Sequence, residues 1–258
     1  MLIGLLALYF ILFGGGNQTF LLNPDLQKNV DTYVMDKNRR TEIDDLIKQV
    51  KKSEENFQKQ TKKVYEKRLE DLNMNHSSTR SDFQREYDSF YISLRALQNR
   101  YLDSELKIRS LIRPNEWDSI MNKVLKQPDN AKARKALFGE NEKLHNRLLS
   151  ACEKNIPDSA GKKKARVLVD EYRAKGDTLA NAFLNLSYRY IHAIRPYNVT
   201  RKDFEPQRAE MIELRRSYTN YLVDMRFKLM AITPEKKWES VAKELNIDFN
   251  YMGAGASR

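Results

Sequence analysis

The sequence contains few residues that break helices and only one cysteine. Its 258 residues include 9 glycines and 7 prolines, and charged residues make up 31% of the chain. With so few breakers among many helix-forming residues, the composition is typical of an all-α protein. Because Cys152 is the only cysteine, the chain can form neither an intrachain disulfide nor a zinc site built from cysteines.

The N-terminal segment lacks charge altogether: no charged side chain occurs before Asp25. As a helix, residues 1–22 would reach about 33 Å at ~1.5 Å per residue, enough to cross a hydrocarbon core of ~30 Å. The alternative is a signal peptide cut near the three glycines at 14–16, but the basic residues that usually begin a signal peptide are missing. We therefore predict a transmembrane anchor or signal segment over residues 1–22, with the anchor as the preferred interpretation.

Two features of the sequence place the body of the protein on opposite sides of the membrane. Lys28, Lys37, Arg39 and Arg40 follow the apolar segment, and the positive-inside rule would keep such residues in the cytoplasm. A hydrophobic extreme N-terminus before a large polar body, however, usually directs export. We predict a membrane-anchored protein whose body is extracytoplasmic (periplasmic), with a cytoplasmic body as the alternative.

The rest of the chain divides into three predicted parts. In residues 23–76, a helical stalk is predicted, because Ile43, Val50, Phe57 and Val64 recur at the seven-residue spacing of a coiled-coil seam. The seam is thin, since a second apolar row is replaced by polar residues, which predicts at most weak self-association through the stalk. Residues 77–252 are predicted to form a helical-bundle head and residues 253–258 a disordered tail.

Two stretches of the head repeat each other at a spacing of 120 residues. The matched pairs are Ile92/Ile212, Leu94/Leu214, Arg95/Arg215, Tyr101/Tyr221, Leu102/Leu222, Ile112/Ile232 and Pro114/Pro234. One inserted residue, Lys237, then aligns Trp117 with Trp238. We therefore predict an internal duplication of about residues 80–126 and 200–246.

Each copy predicts a helix, a sharp corner and a short helix, because proline disfavours helical geometry in the residue before it and suits the first position of a new helix. A tryptophan follows in the first turn, where it can pack against the corner. Two interpretations remain: the residues stabilise the corners, which we prefer, or they form a paired docking surface. The candidate residues are Ile112, Pro114, Trp117, Ile232, Pro234 and Trp238.

The net charge of +11 indicates a basic surface. Such a surface can attract anionic lipid, nucleic acid or acidic protein, and the charge alone does not decide among them. The densest basic run is a candidate anion-contacting site, although a solvated helix start is the preferred interpretation. Its members are Lys162, Lys163, Lys164 and Arg166.

Residue patterns for catalysis or metal binding are missing. Glu142 and His145 have the i, i+3 spacing used twice in di-iron bundles, but the sequence has no second Glu-x-x-His. It also lacks a glycine-rich phosphate loop and a recognisable nucleophile motif. We therefore predict no catalytic residues, no metal and no cofactor, and a protein that is not an enzyme.

A short resemblance suggests an alternative function. Ile232-Thr233-Pro234-Glu235, between a basic helix and a further helix, resembles the Leu-Thr-x-x-Gln corner of small periplasmic chaperones and stress sensors of the Spy and CpxP type. Lys236 or Lys237 stands where that family has its glutamine. The resemblance implies an α-helical, extracytoplasmic protein that binds unfolded clients or senses envelope stress.

These observations predict a non-enzymatic, membrane-anchored helical protein that docks a partner protein or membrane complex. A chaperone-like or envelope-stress-sensing module is the alternative. A nucleic-acid-binding protein on the cytoplasmic side of the membrane is a weaker one, and nucleic acid is not the partner we expect.

Overall fold

The computed structural model describes residues 24–124 and 130–251. This part of the chain is all-helical and contains no strand, which confirms the prediction of an all-α protein. The elements are α1 (Pro24–Tyr33), α2 (Lys37–Phe57), a π-helical turn (Gln58–Lys62), α3 (Lys63–Met74), α4 (Arg80–Leu111), α5 (Pro114–Val124), α6 (Asn130–Asn155), α7 (Ser159–Ile194), α8 (Arg201–Met230) and α9 (Glu235–Tyr251).

Two predicted segments, the anchor (residues 1–22) and the tail (253–258), lie outside the described residues. Among the helices that the structure does describe, none combines the length and apolarity needed to span a bilayer.

The two long helices α4 and α8 begin with the same local sequence, Thr-Arg-x-Asp-Phe, at residues 79–83 and 200–204. Asp82 accepts a hydrogen bond from the Thr79 N–H at 2.8 Å, and Asp203 accepts one from the Thr200 N–H at 2.6 Å. Each threonine hydroxyl also donates to the same aspartate, and the hydroxyl and N–H hydrogen bonds together hold the first turn of each helix and lower the pKa of both carboxyl groups. The phenylalanine that follows each aspartate is fully buried.

Helices α4 and α8 run antiparallel through the middle of the fold. Arg80 at the start of α4 pairs with Asp224 near the end of α8, and Arg201 at the start of α8 pairs with Asp103 in the second half of α4. Between these two ion pairs, the Tyr91 hydroxyl lies 3.1 Å from Thr219 Oγ1. The long helices therefore form a frame on which α2, α3, α7 and α9 pack.

The predicted stalk, residues 23–76, is helical over 24–33 and, without a break, over 37–74, where the π-helical turn joins α2 to α3. This region forms three helices, of which α1 packs on α5, α2 on α4 and α3 on α9. Ile43, Val50 and Leu69 belong to the same buried apolar cluster as the core of α4 and α8. Most of the residues predicted to form a seam between two chains are therefore buried within a single chain.

The π-helical turn explains why the seven-residue pattern misleads. A π-turn takes more residues than an α-turn, so it shifts the faces of the helix that follows. After this turn Val64 is exposed, whereas the neighbouring Tyr65 is 5% exposed and stacks on Phe90 with ring centroids 4.0 Å apart. The shift directs an aromatic ring into the core where the heptad pattern predicts a valine.

Helices α6 and α7 complete the bundle: α6 packs on α7 and α9, and α7 packs on α8. The hydroxyls of Tyr172 in α7 and Tyr218 in α8 lie 2.8 Å apart in the buried interface. Cys152 in α6 is buried, and burial raises the pKa of its thiol to about 12. This thiol is therefore a core residue with little thiolate character.

Candidate functional site

The first corner, between α4 and α5, holds Trp117 in a fully buried position. The indole Nε1–H donates to the carbonyl oxygen of Arg195 at 2.8 Å. Tyr197 meets the indole ring edge-on, and its hydroxyl donates to the Ile112 carbonyl at 2.9 Å. Because the last carbonyls of an α-helix have no partner within the helix, Trp117 caps the C-terminal end of α7.

Arg109 supports the same helix end. Its guanidinium lies 4.2 Å from the centroid of the Trp117 ring and donates to the carbonyls of Ile194, at 3.0 Å, and Pro196. Arg109 also pairs with Glu105, one turn earlier in α4, at 2.9 Å, and both side chains are 4% exposed. Burial raises the pKa of the Glu105 carboxyl and lowers that of the Arg109 guanidinium, while the ion pair opposes both shifts.

The second corner, between α8 and α9, makes the corresponding contacts with another helix. Trp238 is 1% exposed, and its indole Nε1–H donates to the Asn73 carbonyl at 2.9 Å, at the end of α3. The Asn73 side-chain amide in turn donates to the Ala242 carbonyl in α9 at 2.9 Å. The tryptophan of the second corner thus caps the helix that leads into the first long helix.

Arg226 is the second cation at this corner, and it is completely buried. It donates to the carbonyls of Leu72 and Asn75, at 3.2 and 2.7 Å, and lies 5.5 Å from the centroid of the Trp238 ring. Within the described part of the chain no carboxylate pairs with it, in contrast to Arg109. Desolvation lowers the pKa of the Arg226 guanidinium to about 10.

A bidentate ion pair closes the first corner from outside. Arg39 in α2 donates to both carboxylate oxygens of Glu116, at 2.7 and 2.9 Å, and to the Leu111 carbonyl at 2.9 Å. Glu116 also accepts a hydrogen bond from the Arg113 N–H at 2.8 Å. The hydrogen bonds from Arg39 are the largest cause of the lowered pKa of the Glu116 carboxyl.

The six predicted corner residues differ in their exposure and fall into three groups. Trp117, Trp238 and Ile112 are buried, Ile232 is partly exposed, and Pro114 and Pro234 are exposed. A fully buried indole that donates to a backbone carbonyl has no free ring face to offer a partner. This arrangement favours the stabilising role over the docking role for both tryptophans.

The predicted basic run lies in the first turns of α7. Asp158 precedes the run and accepts from the Gly161 N–H at 2.6 Å, which caps the helix. Lys163, Lys164 and Arg166 are exposed and Lys162 is partly exposed, and Arg166 pairs with Glu153 in α6. The run therefore has the form of a solvated helix start. Among the described residues, no group of three or more His, Cys, Asp or Glu side chains is placed to hold a metal ion.

A polar groove lies between the first half of α4 and the second half of α8. It has two lobes, of about 310 and 410 Å³, and Gln84, Tyr87 and Asn220 line both of them. Tyr87 is 1% exposed, yet its hydroxyl has no hydrogen-bond partner in the described part of the chain. The charged residues that line the groove are Arg80, Asp88, Arg216 and Asp224.

At the opposite end of the α4–α8 pair, the matching position is filled. Arg208 is 6% exposed and donates to the side-chain oxygen of Asn99, which also accepts from Arg201 at 3.3 Å. Arg208 pairs with Glu205 at 3.0 Å. Burial lowers the pKa of the Arg208 guanidinium, and the nearby cations Arg201 and Arg95 lower it further.

The groove and the capping arginines were not predicted from the sequence, although one signal for them was present. The shared Thr-Arg-x-Asp-Phe at 79–83 and 200–204 aligns the two long helices at 121 residues, one more than the spacing used above. At this spacing Trp117 and Trp238 match without an insertion, as do Arg80 with Arg201 and Asp103 with Asp224. It also pairs Tyr87 with Arg208, and therefore the groove with its filled counterpart.

In comparisons with protein-family models, curated proteins and solved structures, no match to this chain was found.

Proposed function

We propose that this chain is a non-enzymatic helical protein that docks a partner protein and is held at a membrane by its N-terminal segment. The observation that carries the docking function is the polar groove between α4 and α8. It combines the exposed amide of Asn220 with charges of both signs, which are groups that recognise a polar side chain. Lobes of about 310 and 410 Å³ fall at the small end of the ~300–1,000 Å³ range of ligand sites.

The corner residues have a different role in this proposal. Trp117 and Trp238 stabilise the frame that presents the groove, and their burial and indole hydrogen bonds support that role. Arg39 and Glu116 add a bidentate ion pair at the first corner, which fixes α2 against α5.

An internal duplication is part of the same proposal. It is supported by the two Thr-Arg-x-Asp-Phe starts, the two crossed Arg–Asp pairs and the two capping tryptophans, all at a spacing of 121 residues. When the two copies of a repeated unit differ at a few positions, one copy can form a groove while side chains fill the corresponding position of the other. Such divergence would make the groove specific to one half.

The location of the protein at a membrane is proposed from the sequence alone. The uncharged segment at residues 1–22 supports a membrane anchor, and a hydrophobic segment followed by a large polar body supports an extracytoplasmic body. The charges that follow, Lys28, Lys37, Arg39 and Arg40, favour the opposite orientation under the positive-inside rule.

A crosslinked purification tests the docking function. The full-length chain is isolated from its native membranes in mild detergent, as wild type, as the groove variant Asn220→Leu and as the control Asn185→Leu. Asn220 lines the groove and Asn185 is exposed on α7, so both substitutions place leucine at an exposed asparagine. We expect one partner at a fixed stoichiometry with wild type and the control, and loss of that partner with the groove variant.

Other outcomes would support the alternatives. Suppressed aggregation of an unfolded client, without a stoichiometric complex, favours the chaperone-like module. Binding to DNA or RNA that weakens steeply with salt favours the nucleic-acid interpretation, because neutralised phosphates release counterions. A stoichiometric partner that binds Asn220→Leu as well as wild type places the docking surface elsewhere on the molecule.

A further inference from the structure

Resting on the docking function proposed above, we propose that the groove between α4 and α8 binds a carboxylate, the side chain of an aspartate or glutamate in the partner protein. The guanidinium of Arg216 binds this carboxylate, and the side-chain amide of Asn220 donates to it as well. The partner therefore presents an acidic segment to this face of the molecule.

Arg216 is the charged residue of the lining whose side chain no neighbour engages. Arg80 forms an ion pair with Asp224, and Asp88 accepts a hydrogen bond from the Gln84 amide at 2.9 Å. Arg216 is exposed, and in the described part of the chain neither a hydrogen bond nor an ion pair holds its guanidinium. Its N–H donors are therefore available to a ligand in the groove.

Arg216 and Asn220 offer donors to the same ligand. They lie four residues apart on α8, so their side chains share one face of the helix, and both line the lobe of about 310 Å³. A guanidinium can donate two parallel N–H bonds to the two oxygens of a carboxylate. The Asn220 amide is exposed and carries two further N–H donors for the same oxygens.

The charges around this lobe favour an anion. Burial raises the pKa of the Tyr91 hydroxyl, which belongs to the lining, while the positive charges of Arg215 and Arg216 lower that pKa and the negative charge of Asp88 raises it. Two cations and one anion therefore act on the same region of the groove. Because the whole chain has a net charge of +11, an acidic partner surface is also favoured during encounter.

Asp88 and Arg216 give opposite tests of the sign of the bound charge. Both side chains are exposed, so neither substitution below removes a buried contact. A bound carboxylate is attracted by Arg216 and repelled by Asp88. Arg216→Gln should therefore weaken its binding and Asp88→Asn should strengthen it, whereas a cationic ligand would respond in the opposite way.

Calorimetric titration of the full-length chain in detergent micelles measures the preference for a carboxylate. The probe is N-acetyl-L-glutamate α-amide, and the matched control is N-acetyl-L-glutamine amide, in which a neutral amide replaces the side-chain carboxylate. We expect the glutamate probe to bind at least ~10-fold more tightly, which corresponds to ~1.4 kcal/mol. Arg216→Gln should remove this preference, and Asp88→Asn should raise the affinity for the glutamate probe about threefold, as for removal of one exposed charge. Arg113→Gln, at an exposed arginine outside the groove, should change neither affinity.

Crosslinking in native membranes tests for the carboxylate of the partner itself. Arg216→Lys keeps the positive charge and introduces a primary amine, which a carbodiimide joins to a carboxylate in contact with it, forming an amide with net loss of water. We expect mass spectrometry of the linked peptides to show an amide between position 216 and an aspartate or glutamate of the partner. The matched control, Arg113→Lys, should give no link to that partner.

Several results would overturn the inference. They are equal affinity for the glutamine probe, undiminished binding of the glutamate probe by Arg216→Gln, weaker binding by Asp88→Asn, and the absence of a link from position 216 to the partner. Preferential binding of inorganic phosphate would also overturn it, because the ligand would then be a phosphoryl group.

Failure of the inference differs from failure of the docking function. If Asn220→Leu abolishes the partner complex but the glutamate probe shows no preference over the glutamine probe, docking stands and the carboxylate inference falls. If the glutamate probe is preferred but the partner complex survives Asn220→Leu, the groove recognises a carboxylate and docking of the partner at the groove falls.

Discussion

Trp117 and Trp238 each donate an indole N–H to a backbone carbonyl at the end of a helix that leads into the other half of the molecule. Trp117, which follows α4, caps α7 before α8 begins. Trp238, which follows α8, caps α3 before α4 begins. Each corner therefore stabilises the entrance to the opposite long helix, and neither half is complete without the other.

Truncation of either tryptophan should strongly destabilise the protein. Replacing a buried tryptophan by alanine typically costs ~3–5 kcal/mol, a large part of the ~5–15 kcal/mol that stabilises a domain. Urea titration of Trp117→Ala and Trp238→Ala should show this loss, whereas the exposed Lys163→Ala should unfold like wild type. Iodide should quench the fluorescence of each single-tryptophan variant poorly, and ready quenching with red-shifted emission would contradict burial of the remaining ring.

The two capping arginines should respond differently to removal. Arg109→Met leaves the buried Glu105 without its partner, and breaking a buried ion pair typically costs ~3–5 kcal/mol. Arg226→Met removes a buried cation that has no carboxylate partner in the described residues, so we expect a smaller loss of unfolding free energy. Chemical denaturation compares the two variants.

A double variant provides the control for this comparison. Glu105→Leu combined with Arg109→Met removes both buried charges, so it should recover part of the stability lost in Arg109→Met alone. If Arg226→Met costs as much as Arg109→Met, the two carbonyl hydrogen bonds of each arginine, rather than the ion pair, dominate both effects.

Glu116 should contribute to acid denaturation. Its folded-state pKa is lowered by Arg39, so its contribution is present above its ordinary pKa of ~4.3 and is lost as the pH falls through the folded-state value. Glu116→Gln should therefore flatten the acid limb of a plot of melting temperature against pH, while the exposed Glu55→Gln should not. An acid limb of Glu116→Gln as steep as that of wild type would show that Arg39 does not stabilise this carboxylate.

Glu105 should show the opposite dependence. Burial raises its folded-state pKa, so the folded state holds its proton more tightly than the unfolded state does. Its contribution is then largest below the ordinary pKa and declines as the pH rises toward the folded-state value. Two carboxylates beside one corner thus titrate with opposite effects on stability.

The N-terminal segment should keep the chain in the membrane fraction through high-salt and carbonate washes, because residues 1–24 carry no charge. Fractionation followed by N-terminal sequencing checks this expectation. Release of the intact chain by salt alone would show that the segment is not inserted. A mature N-terminus near Asn17 would establish a cleaved signal peptide instead.

The sequence predicted those features of the fold that depend on residues close together in the chain. Scarce glycine and proline predicted the all-α fold, and Pro114 and Pro234 marked corners between helices. The caps could not be predicted in this way, because Trp117 lies 78 residues from Arg195 and Trp238 lies 165 residues from Asn73. The groove was missed because an alignment at 120 residues does not pair Tyr87 with Arg208, whereas the spacing of 121 residues does.

The packing of the segment predicted as a stalk could not be derived from its seven-residue pattern, for a similar reason. A seven-residue period assumes an uninterrupted α-helix, and the π-helical turn at Gln58–Lys62 breaks that assumption by directing Tyr65 inward in place of Val64. The pattern also does not say what a helix packs against. Here the apolar face of α2 meets α4 of the same chain.

The crossed caps also set the order in which the chain can be completed during synthesis. The Asn73 carbonyl is made 165 residues before the Trp238 indole that caps it. At ~5–20 residues per second the ribosome needs about 10–30 s to cover that distance. The Arg226 and Trp238 donors that secure the end of α3 are therefore among the last residues made, and these hydrogen bonds form only after the final corner has emerged.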